Sequence, residues 1–231
     1  MEQPTIVTAR PTVSSQSGIL TSVYSWMTAG LALTAIVALF TASSRPMLQL
    51  VFSNQLVFFG LILAELGLVI AISGAIARLS AFAATSLFLL YSALSGVTFA
   101  AIFVAYTQSS IASAFFVTAG TFGAMSLYGH LTRRDLSSWG SFFFMGLIGF
   151  LLASVVNIWL HSAMIYWITT YLGIFIFVGL TAYDTQKIKR LAHPGLAGED
   201  RQKLAILGAL TLYLDFVNLF LLLLRLFGRR R

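Results

Sequence analysis

The sequence predicts an all-α, polytopic membrane protein of seven transmembrane helices, and three observations carry that reading. First, 58% of its 231 residues are hydrophobic and only 9% are charged, against about 25% charged in a soluble domain. That is too little charge to clothe a water-facing surface, and disorder needs the opposite composition. Second, the apolar residues gather in runs of about 18 residues or more, the length that crosses a bilayer. Third, these runs are continuous rather than alternating. Only helices and closed barrels satisfy their backbones in lipid, and continuity selects helices. Seven spans leave no room for a large soluble domain.

In chain order, residues 1–22 read as a flexible polar tail, rich in Ser and Thr with Pro4 and Pro11 and without the apolar core of a signal peptide. Residues 23–228 form the transmembrane domain and 229–231 a basic tail. Span one is Val23–Ala42, ending near Arg45–Pro46. Span two is Gln55–Ala77, span three Ala81–Tyr106, span four Ile111–Gly129, span five Trp139–Leu160 and span six Met164–Ile188. A hinge, Lys189–Lys203, carries Pro194, Gly195 and Gly198, and the last span is Leu204–Phe227. The short connections make neighbouring helices antiparallel. Gly146, Gly149 and Ala153, and Gly120 with Ala124, are expected at helix contacts, where small residues let backbones approach.

The net charge is +7, but its placement beside apolar runs points to orientation signals, not to a nucleic-acid surface. An inside amino terminus puts Arg10, Arg78, Arg133, Arg134, Lys187, Lys189, Arg190, Arg201 and Lys203 in the cytoplasm. Arg45, Arg225 and Arg229–Arg231 then lie outside. The basic tail conflicts with that orientation unless the last segment is re-entrant; seven full spans are the expectation. Cysteine is absent, which excludes disulfides and thiolate chemistry. The three histidines lack metal-ligand spacing, no phosphate loop or nucleophile elbow occurs, and no span buries a lysine for a Schiff base. Neither an enzyme nor a bound cofactor is expected.

Of seven acidic residues, three fall inside apolar helices: Glu65, Asp184 and Asp215. A charge there costs a few kcal/mol even on lenient scales, so an intramembrane carboxylate is a functional candidate by default; the alternative is a group that merely bonds helices together. By helical rise Asp215 lies about 16 Å along the last span, and Asp184 about 9–12 Å from the same end of span six if that span extends through the Lys187–Arg190 turn. With boundaries placed only to within a few residues the depths can match, and the two carboxyls meet if these spans pack side by side. Such a pair resists double ionisation and shares a proton. Once deprotonated it suits a hard cation such as Ca²⁺. Thr211, Asp215, Asn218 and Arg225 keep one helical face, which either lines a path or packs on neighbours with Arg225 reaching the interface. Arg78 is either an orientation anchor or a partner for Asp184. Glu65 lies about 20 Å deeper than Arg78 and is a second cavity carboxylate or a helix-bridging group.

Two segments carry a resemblance: Thr181-Ala182-Tyr183-Asp184-Thr185-Gln186-Lys187-Ile188 and Leu212-Tyr213-Leu214-Asp215-Phe216-Val217-Asn218-Leu219-Phe220. They are similar to the paired aspartate signatures of the Bax-inhibitor (transmembrane Bax-inhibitor-motif) family, and the Arg133-Arg134-Asp135-Leu136 turn fits as well. The short tails resemble the bacterial branch, which implies the inner membrane. The resemblance further implies seven helices with the last surrounded by the other six. It implies a Ca²⁺ leak gated by protons through an aspartate pair, here Asp184 and Asp215, with a basic residue at the end of span two, here Arg78, against the first aspartate. Some bacterial members resemble modulators of a membrane protease, so a non-transporting adaptor is the alternative to a leak channel. A proton-coupled transporter is a third reading and expects paired, inverted repeats.

Overall fold

The computed structural model describes residues 13–193 and 195–231, with side chains from Gly18 onward. Eight helices lie among these residues: α1 (Val13–Ser43), α2 (Arg45–Phe52), α3 (Gln55–Ala75), α4 (Ala81–Ala105), α5 (Gln108–Leu131), α6 (Ser137–Leu160), α7 (Ala163–Leu191) and α8 (Gly198–Phe227). All but α2 are long and apolar enough to cross a membrane. Polar residues placed just before the apolar runs start four of them. Asn54 accepts from Leu56 N–H, Ser80 from Ala83, Thr107 from Ser110 and Ser162 from Ile165, each cap being worth about 1 kcal/mol.

Three boundaries differ from the sequence reading. α1 begins at Val13, so residues 13–22 of the expected tail are helical; residues 1–12 lie outside the described residues. The stretch Arg45–Phe52 forms α2, where Ser44 and a first-turn proline make a helix start that hydropathy does not register. The hinge contracts to residues 192–197, with Pro194 outside the described residues. Glu199, Asp200, Arg201 and Lys203 belong to the first turns of α8, where acidic side chains suit the helix N-terminus. A hydropathy run marks where a helix is apolar, not where it ends.

The seven long helices form two groups of three around α8. α1 and α3 both pack on α4, and α5 and α6 both pack on α7. In each group the third helix therefore stands between the first two. α8 packs against α1, α3, α4, α5 and α7, and 67% of its apolar stretch is buried, against 6% in α3 and in α6. It is the central helix. α6 reaches it by side chains alone, where Phe143, Leu147 and Phe150 join the apolar cluster that holds Leu219, Leu222 and Leu223.

Lipid is as apolar as a leucine side chain, so close packing and interhelical hydrogen bonds hold such a bundle together. Thr34 Oγ1 of α1 lies 2.7 Å from Tyr213 Oη of α8 and 2.8 Å from the Ser92 carbonyl of α4. The Tyr213 ring packs edge-on against Phe88 and Tyr91. Gly129 of α5 approaches α7 so closely that a Cβ there would collide with the Ala182 carbonyl. Of the small residues expected at contacts, Gly146 meets Ile176 of α7, whereas Gly120 and Gly149 have nothing within 4 Å.

Antiparallel succession puts the α3–α4, α5–α6 and α7–α8 connections at one end. Arg78, Arg133, Arg134, Lys189, Arg190 and Arg201 lie there, and the positive-inside rule makes it the cytoplasmic end. The basic tail lies at the other. α8 is a full span, and the residues after it pair with the α4–α5 connection: Thr107 N–H donates to Arg229 O at 3.2 Å, Arg231 N–H donates to Ala105 O at 3.0 Å, and Arg230 forms a bridge with Tyr106. Backbone pairing, not charge, fixes the side of this tail.

Candidate functional site

α7 and α8 pack side by side and bring Asp184 and Asp215 together. Asp184 is 8% exposed and Asp215 4%. The two carboxyls are close enough to interact electrostatically, and Asp215 Oδ2 is buried without a hydrogen-bond partner. Both face a cavity of about 720 Å³ lined from α3, α4, α6, α7 and α8. α3 and α6 do not pack on each other, so this cavity lies behind a cleft between them.

Glu65, Thr211 and Asn218 also line it. Glu65 is half-buried and accepts from Thr98 Oγ1 at 2.5 Å. Thr211 Oγ1 donates to Leu207 O at 2.9 Å and Asn218 Nδ2 to Leu214 O at 2.8 Å, both within α8. Each thereby spends a donor on its own helix and leaves acceptor oxygens for the cavity. Among the described residues no group of three or more Asp, Glu or His side chains could hold a metal ion. The aspartate pair supplies at most four carboxylate oxygens, and Ca²⁺ takes six to eight ligands at about 2.3–2.6 Å. The pair alone therefore does not complete a Ca²⁺ coordination shell.

Two expected partners stand elsewhere. Arg78 is exposed just past α3, lines neither cavity and makes no ion pair among the described residues. Depth along a span does not fix the direction around it, and Arg78 is absent from the lining of the cavity that the pair faces. The cation in electrostatic reach of Asp184 is Lys187, which lines the same cavity and lies over the Tyr183 ring. Its three-residue offset from Asp184 was the available signal, since that spacing keeps one helical face. Arg225 leaves the polar stripe as well: its guanidinium stacks 4.8 Å from the Tyr166 ring centre.

The α5–α6 connection clamps the end of α7. Leu136 N–H donates to Gln186 Oε1 at 2.9 Å, Gln186 Nε2 to Arg134 O at 2.9 Å, and Arg190 to Asp135 Oδ1 at 2.5 Å. Asp135 is held down at about 2, first by Ser137 N–H and then by the Arg190 guanidinium. The clamp thus sits one turn from Asp184.

A second cavity, about 750 Å³, lies between α1 and α5, which do not pack on each other either. It is apolar, with Phe216 of α8 in its lining and packed edge-on against Phe115 and Phe122. Hydroxyls cross its cytoplasmic end: Tyr24 bonds Ser126, and Ser126 Oγ lies 2.9 Å from Thr185 Oγ1.

Fold and site together define a polytopic membrane protein built around a buried carboxyl pair. A family model described as "Inhibitor of apoptosis-promoting Bax1" matches residues 16–231. Inner membrane protein YbhL of Escherichia coli is 54% identical over 224 residues, covering 95% of this chain and 96% of the relative. A Borreliella burgdorferi protein is 45% identical, covering 92% of each chain, and a Deinococcus radiodurans protein 42%, covering 99% and 97%. The chain belongs to the Bax inhibitor-1 family and is a multi-pass protein of the inner membrane.

Proposed function

We propose that the protein is a pH-sensitive leak pathway for cations, Ca²⁺ in particular, gated by the Asp184–Asp215 pair. The observation that supports this most is the pair itself: two buried carboxyls on neighbouring helices, lining one cavity, with one oxygen unpartnered. A shared proton lets one carboxyl donate to the other and ties α7 to α8 at the cytoplasmic side. Loss of that proton puts two negative charges in contact, which a low-dielectric site does not tolerate. The pair must then separate or take a cation. Exchange of proton for cation re-packs α7 against α8, and Asn218 and Glu65 offer the next oxygens along the cavity. Lys187 takes the role expected of Arg78, lowering the cost of negative charge on Asp184.

The test is Ca²⁺ flux from liposomes holding only this protein, measured across pH, with K⁺ and Mg²⁺ as comparison ions. Asp184→Asn and Asp215→Asn are expected to flatten the pH profile. A profile unchanged in both variants removes the sensor. No flux of any cation at any pH removes the channel and leaves the non-transporting adaptor.

A further inference from the structure

We propose that the cleft between α1 and α5 is a binding site for one anionic phospholipid, with an acyl chain in the cleft and the phosphate at its cytoplasmic mouth. The cleft has the right surroundings. Phe116 and Leu127 of α5 are 73% and 57% exposed beside it, so it opens into the hydrocarbon layer. Its lining on α1 runs from Leu20 to Ala35, about 22 Å of helix, longer than one leaflet of a core about 30 Å thick. Gly123 lines it with nothing within 4 Å of where a Cβ would stand, so the backbone there borders open space.

The mouth has the right charge. Val23 and Ile188 both approach Gly208, so α1, the end of α7 and the start of α8 converge at this end of the cleft. Lys189 Nζ, next to Ile188, donates to the carbonyl of His130 at 2.7 Å, and His130 lines the cleft. On the other side the Arg201 guanidinium reaches α1, with Nη2 2.6 Å from where a Gly18 Cβ would stand. Asp135 pairs with Arg190 and Glu199 with Lys203, while Asp200, next to Arg201 in the first turn of α8, is exposed and makes no ion pair among the described residues. Lys189 and Arg201 have no carboxylate partner among the described residues. His130 Nδ1 is buried there without a hydrogen-bond partner. Two cations without a carboxylate partner among the described residues, and a ring nitrogen without a hydrogen-bond partner, at the open end of an apolar slot match a lipid phosphate with net negative charge; a zwitterionic headgroup brings its own cation to the same place. This site shares no carboxylate with the Asp184–Asp215 cavity and does not depend on its function.

The experiment is native mass spectrometry of the purified full chain with phosphatidylglycerol or phosphatidylcholine of matched chains. One phosphatidylglycerol is expected to stay bound in preference to phosphatidylcholine. Gly123→Phe fills the slot and is expected to weaken retention about tenfold, with Ala119→Phe as a second filling variant should the first fold poorly. Gly149→Phe, on the open face of α6 with nothing within 4 Å, should change nothing. Lys189→Gln and Arg201→Gln should each weaken phosphatidylglycerol about fivefold, the scale for one basic residue at an anionic surface, and leave phosphatidylcholine alone. Equal retention of the two lipids, or full retention by both filling variants, overturns the site. So does a dimer that Gly123→Phe dissolves, since a second copy is then the occupant.

Discussion

The two cavities beside α8 have nearly the same volume, about 720 and 750 Å³, and opposite chemistry. One holds Glu65, Asp184, Lys187 and Asp215; the other is walled by apolar side chains, with hydroxyls and one imidazole at its cytoplasmic end. Consecutive residues of one helix make the difference. Asp215 turns into the first cavity and Phe216 into the second, because one residue of an α-helix advances about 100°. The two groups of three helices share the same order of packing, so the scaffold does not choose which side carries charge. The polar face of α8 does, through Thr211, Asp215 and Asn218. In lipid, where apolar faces gain nothing by being buried against one another, the few polar side chains decide which way a helix turns.

The largest expected effect comes from breaking the packing that both cavities share. Gly129→Leu drives a side chain into the Ala182 backbone, two residues before Asp184, and is expected to cost about 3 kcal/mol, the upper range for overpacking. Gly149→Leu, on the open face of α6, should stay within about 0.5 kcal/mol. Thermal unfolding in detergent separates them, and equal midpoints would mean that the α5–α7 approach bears no strain. Next is the contrast between neighbours on α8. Asp215→Asn is expected to change Ca²⁺ leak about tenfold at the pH where wild type is most different from its plateau, the effect of about 1.4 kcal/mol. Phe216→Leu should leave the pH profile in place. If both variants shift it alike, the two cavities are not separate compartments. Smaller again, Asn218→Leu removes a cavity oxygen and is expected to slow the leak about fivefold, the scale of one hydrogen bond of about 1 kcal/mol, without moving its pH midpoint.

Much of this was legible in the sequence, and the gaps have physical causes. Seven spans follow from continuous apolar runs, since a bilayer enforces length. Asp184 and Asp215 follow from the cost of charge in lipid. What hydropathy cannot report is direction around a helix. Arg78 sits at the depth expected for a partner of Asp184 and points to solvent, while Lys187 faces the cavity although it reads like any other orientation signal. α2 escaped because eight residues cannot span a membrane, though Ser44 and Pro46 mark its start. The Arg229–Arg231 tail lies opposite the other basic clusters because its backbone pairs with Ala105–Thr107, an interaction with no pattern of its own in the sequence.

The smallest expected effect concerns the clamp between the α5–α6 connection and α7. It lies one turn from Asp184, so it is a rival location for the pH response. The sign of the Asp135 shift argues against that. Ser137 N–H and Arg190 hold this carboxyl at about 2, below its ordinary 3.8. A carboxyl lowered on folding contributes its stabilisation fully above the ordinary value and loses it only as pH falls toward the lowered one. Between about pH 5 and pH 8 Asp135 stays ionised, and the clamp contributes the same at both ends of that window. Arg190→Gln is therefore expected to lower the thermal midpoint by no more than about 2 °C, as suits a solvent-exposed ion pair in a chain of this size. If the buried pair is the sensor, as proposed, the Ca²⁺ leak of the variant should keep the wild-type pH midpoint, because the clamp does not titrate in this window. A midpoint that moves with Arg190→Gln while Asp215→Asn still responds to pH would transfer the sensor from the buried pair to the cytoplasmic surface.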